Sequence, residues 1–221
     1  MDDTSAWECV LDFMRLPERP RVQEVVFSAD LTVPRALAQV RPGAYYTALV
    51  MRAADDAARA QALAGMPLEL GPEGGPESFD LIALHHAVGE LIESAVAEAE
   101  GIGGFTPDPE QVRGQVVRAL RAYHRSGELE DAARPRFLRA LTGLSRTLSR
   151  AGRIVMSHHV LESDLMLGHP LDAYTDYLTM ARRWVSEAGL PFQEVSADGL
   201  PRQWWLCLAL AGATDNANPV S

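Results

Sequence analysis

Glycine and proline constrain this chain most, because they cut it into blocks that carry mostly helical patterns. Thr4 to Leu16 reads as a first helix, stopped by Pro17 and Pro20. Arg21 to Ala29, with Val25, Val26 and Phe27, reads as a short strand or an extended connector. Helices are predicted over Pro34 to Val40 and Gly43 to Ala64, the second ended by Gly65 and Pro67. Gly71 to Glu77 is a loop. Ser78 to Glu100 repeats Leu81, Leu84, Val88, Leu91 and Ala95 at three- and four-residue spacings, the stripe of an amphipathic helix.

Thr106 and Asp108, each followed by proline, cap a helix that runs to Ser126 with Val112, Val116, Ala119, Leu120 and Tyr123 inward. The next helix starts near Arg134 and carries Phe137, Leu141, Leu144 and Leu148. Leu171 to Ala188 and Pro201 to Ala211, the latter with Trp204 and Trp205, close the chain. The expected fold is all-α: a multi-helix bundle of two regions, 1–130 and 131–221, packed as subdomains or as one domain. At most a short strand is expected, near 21–29.

Charge then speaks to partners. The chain has 221 residues, a net charge of −10, and arginine as its only strongly basic residue. Ten of the 20 arginines fall between Arg113 and Arg153, opposed only by Glu128, Glu130 and Asp131, so that segment stands at +7. Arg139, Arg146, Arg150 and Arg153 lie opposite the stripe of Phe137 and Leu148, and Arg118, Arg121 and Arg125 opposite Val112, Val116 and Tyr123. Solvated faces usually mix signs, since like charges at i,i+4 repel. An unmixed guanidinium ridge suits phosphodiester backbones, read by charge and not by sequence.

Several segments after residue 130 resemble the small helical subunit of the type I-E CRISPR Cascade complex: Arg134-Pro-Arg136-Phe137-Leu-Arg139-Ala-Leu141, His169-Pro-Leu171-Asp172-Ala-Tyr174-Thr-Asp176-Tyr-Leu178 on to Trp184, and Arg202-Gln-Trp204-Trp205. A fainter echo lies in Arg35 to Arg41 and Ala44-Tyr45-Tyr46. The resemblance implies a non-catalytic subunit, present in more than one copy beside other effector subunits, that steadies guide crRNA and target DNA. The expected contacts are Arg136 and Arg139 by motif, and Arg118, Arg121, Arg125, Arg146 and Arg150 by geometry. No cofactor or metal is expected.

Other chemistries are weaker in the sequence. His85-His86 and His158-His159 come as pairs, and His85, His158 and Glu162 could meet at a metal within a bundle, but a structural His158–Glu162 pair is the plainer reading. Glu90 and Glu93 with Glu128 and Asp131 echo the all-α nucleotide pyrophosphohydrolases that hold magnesium between helices. An acidic helical scaffold is a third alternative. No glycine-rich phosphate loop, GxSxG or CxxC occurs. Cys9 and Cys207 are expected to be reduced, and Met1 to Ala6 has no export signal, so the expectation is a cytoplasmic protein away from membranes.

Overall fold

A computed structural model describes residues 3–27, 30–51, 56–71, 78–102, 109–159, 166, 168–196 and 199–212. Its centre is not a helix bundle but a seven-stranded sheet. In chain order the strands are β1 (Arg21–Val26), β2 (Tyr45–Val50), β3 (Glu69–Leu70), β4 (Phe79–His85), β5 (Leu148–Ser157), β6 (Phe192–Val195) and β7 (Trp205–Leu210). The helices are α1 (Asp3–Phe13), α2 (Thr32–Val40), α3 (Asp56–Ala64), α4 (Ala87–Ala99), α5 (Pro109–Ser126), α6 (Leu129–Ser145) and α7 (Leu171–Glu187).

The strand order is β3-β2-β1-β4-β5-β7-β6. Strands β1 to β5 pair in parallel, and β7 runs antiparallel to both β5 and β6. This is a doubly wound α/β sheet whose direction of growth reverses between β1 and β4. Buried on both faces, β4 and β7 are largely continuous apolar runs and not alternating ones. In β4, Ile82 and Leu84 join a core with α4, α5, α6 and α7, while Leu81 and Ala83 join a second core with Trp7, Val10 and Leu11 of α1 and Val33 and Leu37 of α2.

The all-α expectation is therefore corrected. The strand expected near 21–29 exists as β1, but it is one of seven. The predicted helix Gly43 to Ala64 contains β2, Ser78 to Glu100 begins as β4, the basic helix gives way at Leu148 to β5, and Pro201 to Ala211 contains β7. The errors at β2, β4 and β7 fall on runs of four to eight apolar residues, where a buried strand and a buried helix look alike. Gly152 shows why β5 is a strand here. A Cβ on it would lie 2.7 Å from the carbonyl oxygen of Phe79 and 2.8 Å from Leu148 Cδ1, so glycine lets β5 close on β4 where their register shifts.

Candidate active site at the carboxyl edge of the sheet

Open α/β sheets bind ligands outside the carboxyl ends of their strands, at the point where strand order reverses. Here that point lies between the ends of β1 and β4. Register places His85 of β4 beside Ser157 of β5, and Ser157 beside Trp205 of β7, in one row along the edge. Trp7 of α1 packs on this row, its ring 5.2 Å from Trp205. The Trp7 indole N–H donates to His85 Nδ1 over 3.1 Å, and Ser157 Oγ lies 2.8 Å from the same nitrogen. Indole can only donate, so Nδ1 is the acceptor and Nε2 of neutral His85 carries the proton. That Nε2 faces Asp30 Oδ2 at 3.2 Å and Asp3 Oδ2 at 3.9 Å.

Asp30 follows β1 and is held at several points. Thr32 donates to its carboxylate from both N and Oγ1, each at 2.8 Å, and the Arg59 guanidinium donates to its carbonyl. Burial alone would raise the Asp30 carboxyl; hydrogen bonds from His85 and Thr32 override it and hold the group well below its ordinary value of 3.8. Behind it, Arg59 bonds Glu24 Oε2 at 2.7 Å and the Tyr46 hydroxyl at 2.5 Å, all three buried.

His86 makes the sharp passage from β4 into α4 in the left-handed region, at φ 54°, with its N–H bonded to Ser157 O at 2.9 Å. Such a conformation in a residue other than glycine marks strain that the surrounding structure must hold. It projects the imidazole over the edge, where Nε2 lies 3.5 Å from Asp3 Oδ2. From the end of β5, His159 Nδ1 approaches the other oxygen, Asp3 Oδ1, at 3.2 Å. The His159 backbone N–H meets His86 Nδ1 at 3.4 Å. Asp3, His86 and His159 thus offer ligand atoms within 4.8 Å of one another. Burial lowers His86 to about 4, helped by neighbouring His85, and burial lowers His159 as well, so both imidazoles are neutral at pH 7.

His158 points to the opposite face and belongs to the core. It is 1% exposed, packs on Tyr174 and Tyr177, and its Nε2 lies 3.2 Å from the Tyr174 carbonyl. Burial pushes it down to about 3. Glu162 lies outside the described residues. Glu93 is buried beside His169 at 3.8 Å, whereas Glu128 and Asp131 are exposed at the start of α6.

Arg118, Arg121 and Arg125 stand exposed on α5, Arg139 on α6, Arg146 at the end of α6 and Arg150 on β5. Arg136 is half-buried and paired with Glu98 of α4. The Cascade-like segments lie in α6, in α7 and at the start of β7. Asp3, Trp7, Asp30 and Ser157 were missed in the sequence. The doubled histidines were the visible signal, and the strand ends they mark were not.

The fold and edge cluster define a doubly wound α/β protein with a polar site at its switch point. No family model matches the sequence, and no curated protein does. Among solved structures, the chain is similar to the glycopeptide N-methyltransferase MtfA complexed with sinefungin, with 13% identity, TM-score 0.45 and coverage of 94% of this chain and 93% of that one. It is also similar to the pyocyanin biosynthetic protein PhzM, with 17% identity, TM-score 0.43 and coverage of 94% of this chain and 55% of that one. A third is human N-acetylserotonin methyltransferase in complex with SAM, with 14% identity, TM-score 0.40 and coverage of 93% and 51%. The chain spans about half the length of the last two. The expectation of a non-catalytic helical CRISPR subunit is corrected: the molecule is built on a seven-stranded sheet, not on a helical bundle. Among the described residues no helix is long and apolar enough to cross a membrane.

Proposed function

We propose that this chain is a cytoplasmic enzyme that acts on a small polar molecule at the carboxyl edge of its sheet, where Asp3, His86 and His159 meet the substrate. One observation carries the reading: residues far apart in sequence deliver a carboxylate and two partly exposed imidazoles to the rim of the β1–β4 switch point. His85, 2% exposed, lies behind Asp3 and Asp30 and does not itself reach solvent. His159 brings Nδ1 to 3.2 Å from Asp3 Oδ1 and leaves part of its ring exposed at the rim, where a substrate can reach it. Unbridged Cys9 and Cys207 agree with a reducing compartment.

SAM or sinefungin is held by two of the similar structures, and the residues at this switch point do not fit such a group. A glycine turn lets backbone approach a nucleotide-bearing cofactor after the first strand. From Arg21 to Pro42 this chain has no glycine. Trp7 is fully buried and bonded to His85 at the end of β4, a bulky ring beside the point where such a group would lie. The reaction read here runs without that cofactor.

Incubation of the purified chain with a fractionated metabolite extract tests the reading by mass spectrometry. Wild type is expected to deplete a polar component that His159→Gln and Asp3→Asn leave intact. Identical profiles from wild type and variants would contradict it.

A further inference from the structure

The geometry points to a site for one divalent first-row transition-metal ion, held by Asp3, His86 and His159. This deepens the function above, since it names the ion that would act at that same edge.

Bonds of ~2.0–2.2 Å to imidazole nitrogen or carboxylate oxygen put neighbouring ligands ~3.0–3.5 Å apart around one ion. His159 Nδ1 to Asp3 Oδ1 is 3.2 Å and His86 Nε2 to Asp3 Oδ2 is 3.5 Å. The remaining pair, within 4.8 Å, closes by rotation of rings that are 19% and 22% exposed. His159 Nδ1 is buried and has no hydrogen bond of good geometry, although a carboxylate stands in front of it. A cation between the two resolves that mismatch. His86 would then carry its proton on Nδ1 and give up the long, 3.4 Å contact from His159 N–H.

The surroundings are those of a built site. His85, whose Nδ1 is held by Trp7 and Ser157, stands behind the carboxylate ligand with Nε2 3.9 Å from Asp3 Oδ2 and 3.2 Å from Asp30 Oδ2. Asp30, 40% exposed, adds a second negative charge close by to balance a dication. Two imidazoles and one carboxylate on one side of an ion leave positions for water and substrate, which is the pattern of catalytic and not of structural sites.

Chelator-treated full-length chain titrated with Co²⁺ gives the test, read by visible absorption and by calorimetry. One ion per chain is expected, with a spectrum of nitrogen and oxygen ligation that Zn²⁺ displaces. His86→Gln, His159→Gln and Asp3→Asn should each weaken binding by more than the ~10–100-fold typical of losing an outer-shell partner. His124→Gln, which alters a histidine paired with Asp172 at 2.9 Å elsewhere, should leave affinity unchanged. The wild-type spectrum decides the matter even if a variant fails to fold. Absence of stoichiometric binding, or binding that follows His124, overturns the site. Turnover lost in the variants of a chain that binds no metal would leave the enzyme standing without it, and metal binding without turnover would do the reverse.

Discussion

The indole N–H of Trp7 and Nδ1 of His85 stand 3.1 Å apart, and this bond decides which nitrogen of His85 turns toward Asp30 and Asp3. A helix near the N-terminus thereby sets the protonation pattern at the end of the fourth strand. Trp7→Phe keeps an aromatic ring but removes the donor, leaving Ser157 as the partner of Nδ1. Together with the smaller ring this should cost ~1–3 kcal/mol by urea unfolding. It should also move the His85 ring nitrogens in ¹⁵N NMR; unchanged ring shifts would show that Trp7 does not set the tautomer.

The buried Glu24–Arg59 pair, 2.7 Å apart, ties α3 to the sheet beneath the Asp30 loop. Burial raises Glu24 while the Arg59 charge and the Tyr46 hydroxyl lower it, so the carboxylate depends on its partners. Arg59→Met strands it and should cost ~3–5 kcal/mol. Replacing both, with Glu24→Leu added, should recover much of that loss. A double variant less stable than Arg59→Met would contradict the pairing.

Gly152→Ala should destabilise the protein by ~1–3 kcal/mol, because its new methyl group meets a backbone carbonyl at 2.7 Å that cannot turn away. Gly143→Ala, which meets nothing within 4 Å, is the control. Equal melting temperatures for the two would disprove the close approach of β5 to β4.

Acid should weaken the fold partly through Asp30. Its folded pKa is depressed below 3.8, so the unfolded chain takes up the proton first as pH falls. Its contribution is complete above the ordinary carboxylate value and fades as pH drops below it. Asp30→Asn should therefore flatten the stability curve below about pH 4 while leaving its shape near neutrality alone. A wild-type curve with the same acid limb as the variant would remove Asp30 from the account.

Much of the helix layer was legible in the sequence. Val88, Leu91 and Ala95, then Val116 and Leu120, then Phe137, Leu141 and Leu144, all lie in the predicted stripes and in the core. The sheet was not legible. Leu81 and Leu84 satisfy a helical spacing, yet in β4 they point to opposite faces, because a strand buried on both sides needs apolar residues everywhere. The histidine doublets were noticed, but their meaning required the strand order. His85 and His86 lie within reach of Asp3 and Asp30 only because β4 is laid beside β1, a long-range pairing that local periodicity does not encode. The arginine block stood out by count, yet its side chains fall on two helices and a strand, and Arg136 is already paired with Glu98.

The most direct measurement is a ¹⁵N-labelled NMR titration of the full chain with fractionated polar metabolites. Shifts concentrated at Asp3, Asp30, His85, His86, Ser157 and His159 are the predicted result. Shifts centred on Arg118, Arg121 and Arg139, or no shift at the edge, would contradict a catalytic site at the carboxyl end of the sheet.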